Sequence, residues 1–136
     1  MLDGCTPWPE EFARRYIQEG DWEAKTLTDL LEEQARAFPD RVFVSDGDRK
    51  LTFREIRRLS HLAAFHLLEC GFRPRDIVLL QFPNSWEFIV VFFALQKIGV
   101  IPVMCLLPHR HTELTYFAQL TGARGYFFPP RFRNFE

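Results

Sequence analysis

The stretch that decides the fold is WEFIVVFFALQKIGVIPVMCLLPHR, residues 86–110, which is dense in apolar side chains and ends in a His-Arg pair. A membrane-spanning helix needs about 20 consecutive, predominantly apolar residues. Here Gln96 and Lys97 interrupt the apolar run, and Gly99 follows them. Because a lysine inside a bilayer is costly, the stretch predicts two buried elements of a water-soluble core, joined by a turn at Gly99.

The first element contains FIVVFF, residues 88–93, whose composition suits either a strand or a helix. We interpret it as part of a helix over residues 85–97. The run is long, Asn84 and Glu87 can cap its start, and Gly99 can end it. A helix that is apolar on all sides is buried on most of its faces. The residues predicted to lie in the core, and not to contact a ligand, are Trp86, Phe88, Phe92 and Ile101.

Apolar strands and helices alternate in the second half of the chain. Strands are predicted at residues 77–82, 101–107 and 124–128, and a further helix at residues 112–121 separates the last two. Strands that are apolar on both faces and are connected by helical crossovers indicate a parallel sheet. The sequence therefore predicts an α/β fold.

Two capping boxes predict two helices in the first half of the chain. Thr26 with Asp29, and Thr52 with Glu55, have the spacing in which each side chain bonds the other residue's backbone N–H. The second helix is expected to be the longest. Its buried face is predicted to comprise Ile56, Leu59, Ala63, Leu67 and Cys70.

A small hairpin and a short helix complete the first half. Residues 41–45 and 50–52 read as two strands on either side of a polar turn. A short helix is expected to start at Pro9 and to end before Gly20.

Charge and cysteine usage exclude several classes of protein. The chain has 17 Lys and Arg against 18 Asp and Glu, which argues against binding nucleic acid through phosphate charge. Cys5, Cys70 and Cys105 are widely spaced and odd in number, which suits free thiols in a reducing compartment. The N-terminus lacks the pattern of a secretory signal. We therefore expect a cytoplasmic protein that binds neither nucleic acid nor a membrane.

In open α/β sheets, ligands bind at the carboxyl ends of the strands. The most polar of these ends is His109-Arg110-His111, which follows the strand at 101–107. One interpretation is a loop near a functional site, in which the Arg110 guanidinium meets an anion and a histidine tunes the charge. The alternative is that the three residues cap the following helix or lie in solvent.

No catalytic, cofactor-binding or metal-binding residue is predicted. The sequence has no GxGxxG or GxxxxGK[ST] phosphate loop and no GxSxG nucleophile elbow. CxxC and HExxH are absent as well, and His109 and His111 without a nearby cysteine do not make a metal site. We expect this chain alone to bind no cofactor.

Several blocks of the sequence resemble one enzyme family. LTFREI (51–56), FPNSWEF (82–88) and FFALQKIGVIPV (92–103) are similar, in the same order, to core motifs of the AMP-forming acyl-adenylating enzymes. TPWPEEFARRY (6–16) and LPHRHTELTYF (107–117) resemble the aryl-acid branch, of the 2,3-dihydroxybenzoate–AMP ligase type found in catechol siderophore synthesis.

The resemblance implies an activity for the parent enzyme. Such an enzyme uses ATP and Mg²⁺ to convert an aromatic carboxylate to an aryl-AMP with release of pyrophosphate, and then passes the acyl group to the phosphopantetheine thiol of an aryl carrier protein. The family's phosphate loop, aryl-acid pocket and catalytic lysine lie beyond the matched region. Residues 1–136 are therefore expected to be a single, incomplete N-terminal subdomain that is inactive alone. In this branch the usual pattern is Pro-x-His-Arg, whereas here Pro108 directly precedes His109.

Two hypotheses remain for what the chain does. The first is the N-terminal portion of an aryl-acid adenylating enzyme, with the remainder of the ligase as its partner. The second is a stand-alone, non-catalytic interaction module built on the same scaffold. In either case the C-terminal aromatic segment is expected to bind that partner or a second copy of the chain. Its members are Tyr126, Phe127, Phe128, Phe132 and Phe135.

Overall fold

Helices and strands alternate along the chain as the sequence predicts. The computed structural model describes residues 5–130. The elements are α1 Glu10–Glu19, α2 Leu27–Ala37, β1 Val42–Asp46, β2 Arg49–Thr52, α3 Phe53–Glu69, β3 Ile77–Leu80, α4 Trp86–Lys97, β4 Ile101–Met104, α5 His111–Thr121 and β5 Gly125–Phe127.

Strand β3 is the centre of a three-stranded parallel sheet with the order β4-β3-β5. Val78 pairs with Pro102 on one side and with Gly125 on the other. The crossover through α4 runs from β3 to one edge, and the crossover through α5 runs back across β3 to the other edge. Because such crossovers are right-handed, they place α4 and α5 on opposite faces of the sheet. The predicted α/β fold is confirmed.

The larger core lies between the sheet and helices α3 and α4. Val78 and Leu80 point to this face, and alternation along the strand sends Leu79 and Gln81 to the face of α5. All four residues are buried, so β3 has no face in water. The buried residues of this core are Ala64, Val78, Leu80, Ala94, Leu95, Ile98 and Val100.

A second core fixes the hairpin to the helices. It consists of Leu31, Leu51, Ile56 and Val90, from α2, β2, α3 and α4.

The hairpin is also held to the start of α4 by polar contacts. The backbone N–H of Trp86 donates to the Asp46 carboxylate at 3.1 Å, and the Arg49 guanidinium lies 3.9 Å from the centre of the Trp86 ring. A carboxylate at a helix N-terminus and a cation over an indole ring are both favourable. The hairpin therefore orients α4.

Both predicted capping boxes are present. Thr26 and Asp29 bond each other's backbone at the start of α2, and Thr52 and Glu55 do so at the start of α3. Hydrogen bonds from Thr52, first from its backbone and then from its hydroxyl, lower the pKa of Glu55 below its usual range. Because a capping box fixes the residue at which a helix begins, the sequence pattern predicted both helix starts correctly.

The start of α4 differs from the prediction in one residue. Ser85, not Asn84, is the cap, and its hydroxyl accepts the backbone N–H of Phe88 at 3.5 Å. Ser85 has extended dihedral angles and directly precedes the first helical residue, which is the geometry of a capping position. Asn84 lies one residue too early.

The turn after α4 is confirmed at Gly99, whose φ is +70°. A side chain there would adopt a left-handed conformation that L-residues rarely take, and its Cβ would lie 3.3 Å from the Pro74 Cβ. The Gly99 carbonyl also accepts the backbone N–H of Arg75 at 2.7 Å. Glycine is thus required both by the turn and by the close approach of Pro74.

The buried face of α3 agrees with the prediction only in part. Ile56, Ser60 and Ala64 are buried, whereas Cys70 is exposed at the end of the helix. Ala64 shares the larger core with Ala94 of α4, and small side chains at this position let the two helices approach. The prediction was right for Ile56, which is fully buried, and Leu59, Ala63 and Leu67 are partly buried and pack against the two cores. It was wrong for Cys70, and it did not include Ser60 and Ala64.

The residues predicted as core in α4 and β4 are only partly buried. Trp86, Phe88, Phe92 and Ile101 each keep some exposure, and the fully buried residues of α4 are Ala94 and Leu95. One face of α4, with Ala94 and Leu95, packs against the sheet, and another, with Val90, packs against the hairpin. The large side chains surround this core instead of filling it.

The strands of the sheet are shorter than predicted. β3 ends at Leu80 and β4 at Met104, although Cys105 still donates its backbone N–H to Leu80 at 2.9 Å. Beyond Cys105 the chain turns, so residues 106–107 belong to a loop.

The aromatic segment near the C-terminus is only partly exposed. Tyr126 and Phe127 are partly buried, and Phe127 packs against the larger core, whereas about half of Phe128 is exposed. Phe132 and Phe135 lie outside the described residues.

Helix α1 buries none of its own residues. Tyr16 of this helix packs with Trp8 and Trp22 on either side of it in the chain, and the three ring centres are 5.3–6.4 Å apart. No helix within residues 5–130 is both long enough and apolar enough to cross a membrane.

A cluster of charges joins α2, α3 and α4. The Glu32 carboxylate accepts hydrogen bonds from Lys97 at 2.7 Å and from Arg57, and His61 lies 3.2 Å away. The Lys97 side chain is only 9% exposed. Burial raises the pKa of Glu32, but the hydrogen bonds and charges of Lys97 and Arg57 outweigh burial, so the net pKa lies below the ordinary 4.5. The cluster therefore stabilises the fold only while Glu32 is ionised.

Truncation of α4 tests the described core. Leu95→Ala is expected to cost about 2–5 kcal/mol, because Leu95 is fully buried and a cavity remains. Phe92→Ala is expected to cost less than the about 3–5 kcal/mol typical of a buried phenylalanine, because Phe92 is partly exposed. Urea titrations give both values. A larger loss at Phe92 than at Leu95 would mean that α4 is rotated from the orientation described.

Substitution of Glu32 tests the charge cluster. Glu32→Gln is expected to cost about 1.5–3 kcal/mol at pH 7, since it leaves the Lys97 ammonium without its charged acceptor. Because the folded-state pKa of Glu32 is lowered, its contribution is present above pH 4.5 and is lost as pH falls through the folded-state pKa. The difference in unfolding free energy between wild type and variant should therefore shrink below pH 4.5.

The control is the double variant Glu32→Gln with Lys97→Met, which removes both charges. Replacing both partners costs less than leaving one buried charge alone. A double variant less stable than Glu32→Gln, or a difference that does not change with pH, would contradict this account.

Candidate functional site

The carboxyl edge of the sheet contains the loops that follow β3 and β4. A groove of about 470 Å³ lies between them, with walls formed by residues 82–84 on one side and residues 105–108 on the other. Ligands of open α/β sheets bind at this edge. It is therefore the candidate site.

Gln81 is a buried polar residue that connects the segments at this edge through hydrogen bonds. Its side chain is 1% exposed. Its Nε2 donates to the backbone carbonyls of Leu106 at 2.5 Å and of His109 at 3.1 Å. Its Oε1 accepts the hydroxyl hydrogen of Tyr126. One side chain thus connects the end of β3 to the loop after β4 and to β5.

Tyr126 and Cys105 remain protonated beside Gln81. Burial raises the pKa of the Tyr126 hydroxyl, so it stays a hydrogen-bond donor at neutral pH. Burial also raises the pKa of the Cys105 thiol, which lies 3.6 Å from the Val103 carbonyl. A protonated thiol is a poor nucleophile and metal ligand. Cys105 therefore acts as a packing residue.

His109 is folded back onto its own loop. Its Nδ1 accepts the backbone N–H of Leu106 at 3.1 Å, and its ring meets the edge of Phe117 with centres 5.1 Å apart. Since Nδ1 is an acceptor, the neutral ring carries its proton on Nε2.

Arg110 is the residue that precedes α5. Its Nη1 donates to the carbonyls of Leu107 at 2.6 Å and of His109 at 2.9 Å, and its backbone N–H donates to the Glu113 carboxylate at 2.9 Å. That backbone hydrogen bond is the main cause of the lowered pKa of Glu113. His111 is the exposed first residue of α5.

The structure brings His109 and Arg110 into one hydrogen-bonded loop and leaves His111 outside it. The side-chain contacts of His109 and Arg110 lie within the loop, and only the backbone N–H of Arg110, bonded to Glu113, takes part in capping α5. The anion-binding role of Arg110 stays a prediction. The described part of the chain holds no group of three or more His, Cys, Asp or Glu side chains that could bind a metal ion.

Gln81 and the role of Tyr126 beside it were not predicted from the sequence. The signal was present, because Gln81 is the polar residue in the apolar strand sequence IVLLQF, and a buried polar side chain needs hydrogen-bond partners. The partners themselves come from residues 25, 28 and 45 positions later in the chain, a relation that only the fold reveals.

A second groove, of about 340 Å³, lies between the hairpin and the start of α4. Its polar wall consists of Ser45, Asp46, Asn84 and Ser85. The Asp46 carboxylate and the Ser85 hydroxyl are already used to cap α4. This groove is therefore a structural junction.

Comparisons with known proteins give consistent relatives. The 2,3-dihydroxybenzoate-AMP ligase of Bacillus subtilis (strain 168) is 36% identical over 136 residues, which cover 100% of this chain and 25% of the relative. The salicyl-AMP ligase / salicyl-S-ArCP synthetase of Mycobacterium tuberculosis is 43% identical over 129 residues, which cover 91% of this chain and 23% of the relative. The chain thus spans about a quarter of the length of the curated relatives it matches.

Solved structures agree with the fold. The apo structure of Mycobacterium smegmatis MbtA matches with a TM-score of 0.87 and 42% identity, over 90% of this chain and 23% of that chain. The N-terminal subdomain of Klebsiella oxytoca NpsA matches with a TM-score of 0.74 and 27% identity, over 80% of this chain and 29% of that chain.

The sequence pattern of one family, described as "AMP-binding enzyme", matches residues 31–134, which is most of the chain. That region includes the motifs at residues 51–56 and 92–103 on which the resemblance was based. This chain therefore belongs to the AMP-binding enzyme family.

Proposed function

We propose that residues 1–136 form the N-terminal subdomain of an aryl-acid adenylating enzyme. In this reaction an oxygen of the aromatic carboxylate attacks the α-phosphorus of ATP, pyrophosphate leaves, and an aryl-AMP forms. The acyl group then passes to the phosphopantetheine thiol of an aryl carrier protein, with AMP as the leaving group. The observation that carries the proposal is a match over nearly the whole chain to relatives named as ligases of 2,3-dihydroxybenzoate and salicylate.

ATP and Mg²⁺ belong to the remainder of the proposed enzyme. The described residues do not fit them: they offer no cluster of acidic side chains and no glycine-rich phosphate loop, and Arg110 Nη1 is used within its own loop. We therefore assign no chemical step to this part of the chain. Its role in the proposed enzyme is to contribute three strands of the sheet and to position the loops at the carboxyl edge.

The partner of this subdomain is proposed to be the rest of the ligase. Among the described residues, β4 and β5 each pair on one side only, so each leaves an edge at which a further strand can add. The reducing cytoplasm suits the three free cysteines, two of which are exposed.

A second candidate is a non-catalytic interaction module, with self-association through the same region. The observation that favours this candidate is that large apolar side chains at or after the ends of the two edge strands are exposed, where a partner would cover them. These residues are Met104, Leu106 and Phe128.

Activity distinguishes the two candidates. Purified residues 1–136 are expected to show no aryl-acid-dependent exchange between ATP and pyrophosphate, because no preorganised donors stabilise charge on the α-phosphate. A chimera in which these residues replace the matching quarter of the Bacillus subtilis ligase is expected to catalyse the exchange with 2,3-dihydroxybenzoate. Exchange by the isolated chain would overturn the first expectation, and a folded but inactive chimera would overturn the proposal.

Self-association is tested by light scattering across a concentration series. We expect the isolated chain to associate and Phe128→Ser to weaken the association, because about half of Phe128 is exposed next to β5. Leu62→Ser is the matched control, since Leu62 is equally exposed but lies on α3. A chain that stays monomeric at all concentrations would contradict the interaction hypothesis.

A further inference from the structure

We propose that Gln81 and Tyr126 are positioning residues that hold loop 105–110 in one conformation at the carboxyl edge of the sheet. Neither residue touches a ligand in this account. Their effect on adenylation rests on the proposed function, whereas the positioning itself is measurable in the isolated chain.

The hydrogen-bond chemistry allows only one orientation of the Gln81 amide. The Leu106 and His109 carbonyls can only accept, so the amide nitrogen must face them. The amide oxygen then faces Tyr126, whose hydroxyl must be the donor. Reversal of the amide would set oxygen against two carbonyl oxygens. Each contact thus fixes the direction of the others.

The two carbonyls that Gln81 binds lie three residues apart, at both ends of the turn. The turn between them closes on itself, because His109 donates its backbone N–H to the Leu106 carbonyl at 3.0 Å and Leu106 donates its own to His109 Nδ1. Gln81 therefore does not hold a single residue. It anchors a closed hydrogen-bonded unit to the central strand, with Leu106 and Pro108 facing outward.

This unit forms one wall of the groove at the carboxyl edge and leads directly into α5. Leu106 and Pro108 line that groove opposite Phe82 and Asn84. Release of the loop from Gln81 would change the shape of the groove and the position of the Arg110 backbone at the start of α5. In the proposed enzyme, this is how two residues that lie away from the reacting groups would influence the site.

Amide hydrogen exchange in the 136-residue chain tests the positioning. Gln81→Met keeps the length of the side chain and removes both polar atoms. We expect exchange at the Leu106 and His109 amides to become at least about tenfold faster, the factor that about 1.4 kcal/mol produces in an opening equilibrium. Exchange at core amides such as that of Leu95 is expected to change much less. Tyr126→Phe, which removes one donor and keeps the ring, should have a smaller effect of the same pattern.

A second readout is the ¹⁵N spectrum of the His109 ring. In the wild type, Nδ1 is a hydrogen-bond acceptor and Nε2 carries the proton of the neutral ring. We expect Gln81→Met to shift the Nδ1 resonance toward that of a solvent-exposed histidine. Gln119→Met, on the exposed surface of α5, is the matched control and should change neither readout.

The outcomes separate positioning from a general loss of stability. Equal acceleration at loop and core amides would show that Gln81 supports only the fold as a whole and would overturn the proposal, as would unchanged loop exchange in both Gln81→Met and Tyr126→Phe. If Gln81→Met does not fold, the Tyr126→Phe data decide in the same way. If the chimera that retains Gln81 is inactive, the proposed function is refuted and the positioning proposal is unaffected. If the chimera is active and Gln81→Met leaves its activity unchanged, only the link between positioning and adenylation is refuted.

Discussion

The burial of β3 on both faces is the constraint on which the rest of the structure depends. Val78 and Leu80 require cover from α3 and α4, and Leu79 and Gln81 require cover from α5. A strand with two apolar faces cannot be an edge, so it must pair on both sides. The two crossover helices satisfy both demands at once, because each one covers a face and delivers a neighbouring strand.

The charge cluster and the capping boxes act around this centre. Glu32 holds α2 against α3 and α4 through Arg57 and Lys97, since neither cation is on the same helix as the carboxylate. The hairpin holds the opposite end of α4 through Asp46. Helix α4 is therefore fixed at its start by the Asp46 carboxylate and at its end by the Lys97 ammonium. The helix dipole favours a negative charge at the start and a positive charge at the end.

Local patterns predicted the fold because the decisive signals were local. The capping boxes at Thr26 and Thr52 and the glycine turn at residue 99 each involve residues a few positions apart, and all were found where the sequence indicated. The face of α3 was predicted only in part for the same reason: a hydrophobic pattern records size and polarity, whereas burial of Ser60 and Ala64 depends on how closely α4 approaches. The candidate site was predicted least well. The sequence indicated a loop at His109 and Arg110, but it did not indicate Gln81, which lies 28 residues before His109 and bonds the backbone of this loop.

The buried polar groups of this chain are satisfied within the chain, whereas part of its apolar surface is not covered. Among the described residues, every buried side-chain nitrogen and oxygen has a hydrogen-bond partner, including those of Gln81. By contrast, Met104, Leu106 and Phe128 remain exposed near the edges of the sheet. An unpaired buried polar group costs far more than an exposed apolar side chain, which is common on protein surfaces. A unit built in this way keeps its internal geometry fixed by its own hydrogen bonds, while its exposed apolar surface is left for a partner to cover.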